Sequence, residues 1–234
     1  MTLRRTALAA ALATTASVAG AQSLTVLPVS IQMTPGQSAT TLTIINAGDK
    51  ETSVQIRAYA WNQPGGEDAL TPSTQILTSP PIATIPARAA QIVRLVLRQK
   101  PSGREATYRI IVDQIPPPAE PGTVRIALRL SIPVFALPAT RALPHLNYRI
   151  ERKGTQAWMV AENDGTRHET LRNIAMTGGL TPTGNASPYV LAGVTRRWPL
   201  TAASGFPAAG AAIRLKAGAD SGAVDQPVPV IVLP

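Results

Sequence analysis

Short runs rich in Val, Ile, Leu and Thr recur along the chain after residue 22, separated by clusters of Gly, Pro, Asn and Asp. No helical period of 3.6 persists there, so the pattern predicts an all-β sandwich architecture. The predicted strands are Thr40 to Asn46, Ser53 to Trp61, Gln91 to Arg98, Thr107 to Ile115 and Val124 to Phe135. A second set is Asn147 to Glu151, Ala157 to Ala161, Leu171 to Thr177, Ile213 to Lys216 and Val228 to Leu233. Turns are expected at Ala47-Gly48-Asp49, Gln63-Pro64-Gly65-Gly66, Lys100-Pro101-Ser102-Gly103 and Asn163-Asp164-Gly165. The first set ends near Pro138 to Arg141. The strand count on each side predicts two sandwiches, 22–138 and 139–234, meeting at an angle there.

One run stands apart. From Val124 to Val134 every even position is apolar: Val124, Ile126, Leu128, Leu130, Ile132 and Val134. Period-2 alternation usually marks a strand with one face in a core. This run, however, is about twice the usual strand length, and Pro133 near its end suggests an edge. Long apolar edges are an aggregation hazard that proteins normally blunt. An edge that is kept suggests use by β-augmentation, in which a partner takes up the alternating side chains. Just before it, Pro116-Pro117-Pro118 has no ladder donors and must form a loop.

The start of the chain changes the compartment. Arg4 and Arg5, the apolar run Leu8 to Val18 and the small pair Ala19 and Ala21 read as a secretory signal peptide over 1–21. Its apolar run is shorter than the roughly 20 residues that span a bilayer. The expectation is export by a cleaved signal, without stable membrane insertion. Cleavage before Gln22 takes the formal charge from +9 to +7. With no cysteine, no disulfide supports the fold, so each sandwich relies on its own core. The arginines are spread through apolar strands with few aromatics between them, which argues against nucleic acid and for a basic surface that meets acidic partners.

Enzyme signatures are missing: no GxSxG elbow, no phosphate loop and no cysteine nucleophile. His145 and His168 are far from any ligand cluster and read as surface or linker residues, so neither metal nor cofactor is expected. Glu162 and Asp164 flank a turn. A rival reading is a secreted carbohydrate-binding or adhesin-like sandwich. That function needs exposed aromatic platforms, and Trp61, Trp158 and Trp198 are the only tryptophans.

The stretches TLTIIN (41–46), VQIRAYAW (54–61), SPPIATIPARAAQIVRL (79–95), REATYRIIVDQIPPP (104–118) and VRIALRLSIPVFALP (124–138), in that order and spacing, resemble the PapD-like periplasmic pilus chaperones. The resemblance covers about residues 24 to 138 and is loose beyond. SIPVF and the GGED segment at 65–68 are most similar to the archaic branch, which serves spore-coat-U-type and Csu-type pili. It implies two immunoglobulin-like domains in an angled, L-shaped molecule located in the periplasm. It further implies a strand lent to pilus subunits that lack their last strand, and delivery of those subunits to an outer-membrane usher. The lent side chains would be Val124, Ile126, Leu128, Leu130 and Ile132.

The chain departs from that pattern in its charges. The family's subunit-carboxylate clamp uses an Arg in the first strand and a Lys late in the lent strand. Those positions fall near Ser30 and at Pro133. Arg94, then Arg129, are the candidate replacements, with simple pairing of Arg94 to an acidic neighbour as the bland alternative. A family Glu–Arg bridge sets the interdomain angle. Glu105 fits its acidic position, but Leu137 stands in the basic one, leaving Arg141 as the candidate partner.

Overall fold

The computed structural model describes residues 24–118, 122, 124, 126–184, 187–203 and 205–234; the predicted signal peptide lies outside them. Among these residues the fold is all-β, with one 3-10 turn at Pro64–Gly66. The first half contains β1 (Leu24–Leu27), β2 (Ile31–Met33), β3 (Ala39–Asn46), β4 (Thr52–Asn62), β5 (Ala69–Pro72), β6 (Ile76–Ser79), β7 (Ile82–Ile85), β8 (Ala90–Leu97), β9 (Ala106–Ile115) and β10 (Arg129–Ala136). One sheet runs β1-β3-β8-β6. The facing sheet runs β2-β10-β9-β4-β5, with β7 also on β4. Alternating residues fill the space between them, among them Leu42, Ile44, Val93, Leu95, Ile110, Val112, Ile132 and Val134.

The second half contains β11 (Leu146–Lys153), β12 (Gln156–Asn163), β13 (Glu169–Met176), β14 (Leu180–Pro182), β15 (Tyr189–Val190), β16 (Val194–Ala202), β17 (Ile213–Ala219), β18 (Gly222–Val228) and β19 (Val230–Val232). Its sheets run β14-β16-β12-β11-β19 and β15-β13-β17-β18. A separate core lies between them, with Ile150, Met159, Trp198, Leu200 and Leu215 buried. The last residue of the first core is Ala136, and the first side chain packed on the second is Leu146.

Each sandwich carries a buried asparagine at a turn. The Asn46 carboxamide accepts from the Gly48 amide at 3.0 Å and donates to the Ile85 carbonyl at 3.1 Å. Asn163 repeats this with the Gly165 amide at 3.1 Å and the Val190 carbonyl at 3.0 Å. A side chain that serves donors and acceptors on separate segments satisfies main-chain groups that burial would otherwise leave unpaired.

Several short strands, among them β1, β2, β5, β6, β7, β14 and β15, lie outside the predicted set, and two further differences bear on the site. β16 falls where no strand was predicted, because Arg196, Arg197 and Pro199 interrupt its hydrophobic pattern. Arg196 nonetheless occupies an inward position, 1% exposed, with its guanidinium directed to Asp68 and to the Tyr189 carbonyl. The expected strand from Val124 is the other correction: the ladder begins only at Arg129. In its register Arg129 faces Asp113 and Leu130 faces Val112. The Gln114 amide donates to the Leu128 carbonyl at 2.9 Å, so even positions are the ones that bond to β9. Continued one step further, Ile126 would face Pro116, and Val124 would face Pro118. Neither proline has an N–H to give, and the ladder stops.

Candidate functional site

Among the described residues, β10 has an open flank over its first half. β2 joins it in parallel only from Val134, opposite Ile31. The odd residues Arg129 and Ser131 therefore direct their main-chain groups to an unoccupied edge, and Pro133 lacks a donor on that same side. This agrees with an edge at Pro133 and leaves the ladder to β9 intact.

The alternating row passes from solvent to core along this edge. Val124 is 93% exposed and Ile126 83%; Leu128 and Leu130 are half-buried; Ile132 is 3% exposed. Leu130 already packs against the first core, and Ile132 belongs to it. Ile132 is thus not an available contact residue, because its neighbours in the chain's own sandwich occupy it. The Leu128 amide donates to the Gln114 side-chain carbonyl at 3.3 Å, and the Gln114 amide nitrogen reaches Thr52 Oγ1 at 3.0 Å. Among the described residues, this brace is the hold on the segment nearest its start.

The outer face of the β9–β10 pair is basic. Asp113 lies between Arg57 and Arg129, both bonded to its carboxylate. Burial works against ionisation of Asp113, but the hydrogen bonds from Arg129 and Arg57 outweigh it and hold its pKa below the ordinary value. Two residues back on the same face of β9 is Ile111, and four back is Arg109, cross-strand from Pro133. The Arg109 guanidinium lies 3.8 Å over the Trp61 ring and 5.3 Å from that of Tyr189. Burial lowers its pKa, with Asp68 acting the other way. Among the described residues, no carboxylate lies within ion-pairing distance of it.

The sequence candidates are not gathered into this site. Arg94 stands on β8 between the buried Val93 and Leu95, so it projects outward from the opposite sheet. Arg129 is on the right strand but shares Asp113 with Arg57. Arg109 escaped sequence reasoning because a lone arginine in a strand carries no signal; its meaning comes from the two aromatic rings beside it.

The junction is built differently from expectation as well. Glu105 is buried, but its partner is His168, not Arg141, which is exposed. His168 Nδ1 lies 2.7 Å from Glu105 Oε2, and the His168 main-chain amide donates to the same oxygen at 2.9 Å. His168 is therefore a buried junction residue and not a surface one. Its ring stacks on Phe135, and Trp61, Phe135 and Leu191 form a small core between the sandwiches. A polar set adjoins it. Gln63 donates to Asp68 at 2.7 Å and to the Tyr189 carbonyl at 3.0 Å, and accepts from the Leu191 amide at 3.0 Å. Arg196 completes it with a 3.2 Å bond to Asp68. A cleft of about 660 Å³ lies alongside, lined by Gln63, Gly66, Arg104, Glu105 and Arg197 among others. Trp61 and Trp198 are buried and Trp158 half-buried, so none of the three tryptophans is fully exposed.

Two sandwiches joined through a packed junction, with one long edge half released from its sheet, define a two-domain immunoglobulin-like protein. Residues 23–142 match the model of the pili and flagellar-assembly chaperones, PapD N-terminal domain, and the chain belongs to this family. No curated protein matches it in sequence. In structure it is similar to the complex of CsuC chaperone and CsuE tip subunit from the archaic chaperone-usher Csu pili of Acinetobacter baumannii. The TM-score is 0.67 at 24% identity, over 91% of this chain and 100% of the other. It is also similar to the Salmonella enterica SafA pilin–SafB chaperone complex, with a TM-score of 0.62 at 18% identity, over 91% and 97% of the two chains. The periplasmic chaperone SfaE gives 0.58 at 16% identity, over 90% and 100%.

Proposed function

We propose that this chain captures pilus subunits in the periplasm by donating the segment from Val124 into β10, and delivers them to an outer-membrane usher. Residues 1–21 act as its cleaved export signal. Residues 22–138 form the donating domain and 139–234 the second domain. The subunits belong to the archaic, spore-coat-U or Csu class, in line with SIPVF and GGED.

One observation carries this reading: the apolar row is continuous, yet its first members are solvated while its last lie in the core. Val124 and Ile126 cover nothing in the chain itself. Three buried aliphatic side chains, Val124, Ile126 and Leu128, supply roughly 5–9 kcal/mol gross, before the cost of ordering the segment. Such a hold protects a subunit and still yields to another subunit's extension at the usher. The subunit's terminal carboxylate is met by Arg109, a desolvated cation on the face shared with Arg129 and Pro133. The experiment is co-export with a pilus subunit of the same strain. A one-to-one complex is expected, with the subunit degraded or aggregated when produced alone. Recovery of folded subunit without this chain would count against capture.

A further inference from the structure

We infer that Pro116 and Pro118 are positioning residues that hold the donor segment out of its own sheet. The inference rests on the donation reading and adds what keeps the segment available. By register the chain here has every other requirement of a long hairpin. β9 and β10 are already paired up to Gln114 and Leu128. Two further bonded pairs, 116 with 126 and 118 with 124, would leave a five-residue connection, 119–123, a common length for a hairpin loop. The side chains of Val124 and Ile126 would continue the apolar row. Nothing in spacing or side-chain pattern opposes closure.

The prolines oppose it by phase. In an antiparallel pair each residue turns its N–H and C=O to one neighbour only, and the side alternates along the strand. Gln114 turns toward β10, and so would 116 and 118; Pro117 would turn away. The two positions that must donate to the carbonyls of Ile126 and Val124 are the two that cannot. A groove left by a missing strand has a strand on each of its sides. A segment that fills it needs main-chain groups free on both edges, and a zipped hairpin would commit one of them beforehand. With Pro116 and Pro118 in place, Val124 stays 93% and Ile126 83% exposed.

The test uses phase as its control. Hydrogen exchange and capture are measured for the full chain, Pro116→Val/Pro118→Val and Pro117→Val, with a pilus subunit of the same strain lacking its N-terminal extension as the probe. The double variant is expected to slow exchange at the Val124 and Ile126 amides. It should weaken capture roughly tenfold, the effect of main-chain bonds that must first be broken. Pro117→Val should match the wild type in both. Unchanged exchange in the double variant, or equal effects of Pro117→Val, overturns the inference. So does slowed exchange with undiminished capture. Ile126→Asp run alongside tells which reading has failed: if it too captures subunit, donation itself is wrong.

Discussion

The imidazole of His168 lies flat on the ring of Phe135, with centroids 3.6 Å apart and planes within 9°. Phe135 belongs to β10, so the second sandwich grips the core end of the strand whose other end is free. The buried Glu105 carboxylate fixes the imidazole from behind. Truncation by His168→Ala removes the stack and leaves Glu105 short of a partner, a loss of about 1–3 kcal/mol. Differential scanning calorimetry should show a melting midpoint lower by roughly 5 °C, while Leu143→Ser on the exposed connection changes little.

Gly66 supplies a second, purely geometric hold. Its φ is +89°, and an added Cβ would lie 2.8 Å from the Thr195 carbonyl of β16. Gly36 has a similar φ of +84° with nothing near. Gly36→Ala should therefore cost only the conformational strain, about 1–2 kcal/mol. Gly66→Ala should cost more, because two pieces of backbone must also separate. The difference between their denaturation midpoints measures the junction contact, and equal losses would remove the Pro64–Gly66 turn from it.

What sequence could and could not show follows from how local each signal is. Strands whose inward residues are mostly aliphatic, such as β3, β8 and β9, stand out by alternation alone. β16 was hidden because one inward position is Arg196, apolar in placement only through Asp68, which is 128 residues away in the chain. The apolar row from Val124 was visible, but alternation alone does not tell how far the ladder extends; that needed the register with β9. Glu105 was legible as a junction residue. His168 was not, since its partners Phe135 and Glu105 meet it only after the two halves pack.

Among the described residues, Arg109 has no carboxylate at ion-pairing distance, with Asp68 acting on it only from further away. Arg109→Met keeps the aliphatic stem over Trp61 and removes the guanidinium. Capture of a pilus subunit should weaken by about 2–5 kcal/mol, read as a faster dissociation rate. Arg94→Ala, on the opposite sheet, should leave that rate unchanged. A larger effect at Arg94 than at Arg109 would move the anchor to the other sheet.

Acid should weaken the second sandwich through Glu151. Burial alone would raise this carboxyl, but the hydrogen bonds from Arg197 and Arg149 outweigh it and hold its pKa below the ordinary range. A carboxylate depressed in the folded state stabilises above its unfolded pKa of about 4.3, and that contribution is lost as pH falls through the folded value. Thermal stability should thus be nearly level from neutral to about pH 5 and fall below it. Glu151→Gln should be less stable at pH 7 yet show a shallower decline in acid. Parallel curves for the two proteins would remove Glu151 from the acid response.

The most direct measurement concerns Ile126 and Leu128. Placing a carboxylate in an apolar groove costs several kcal/mol, whereas Ile126 is solvated in the free chain. Ile126→Asp and Leu128→Asp are each assayed for thermal unfolding and for pull-down of a co-exported pilus subunit. The account predicts that Ile126→Asp melts like the wild type and captures no subunit, with Leu128→Asp melting slightly lower and equally inactive. A folded Ile126→Asp that still captures subunit would contradict donation of this strand, and an unfolded one would make the segment an ordinary part of the core.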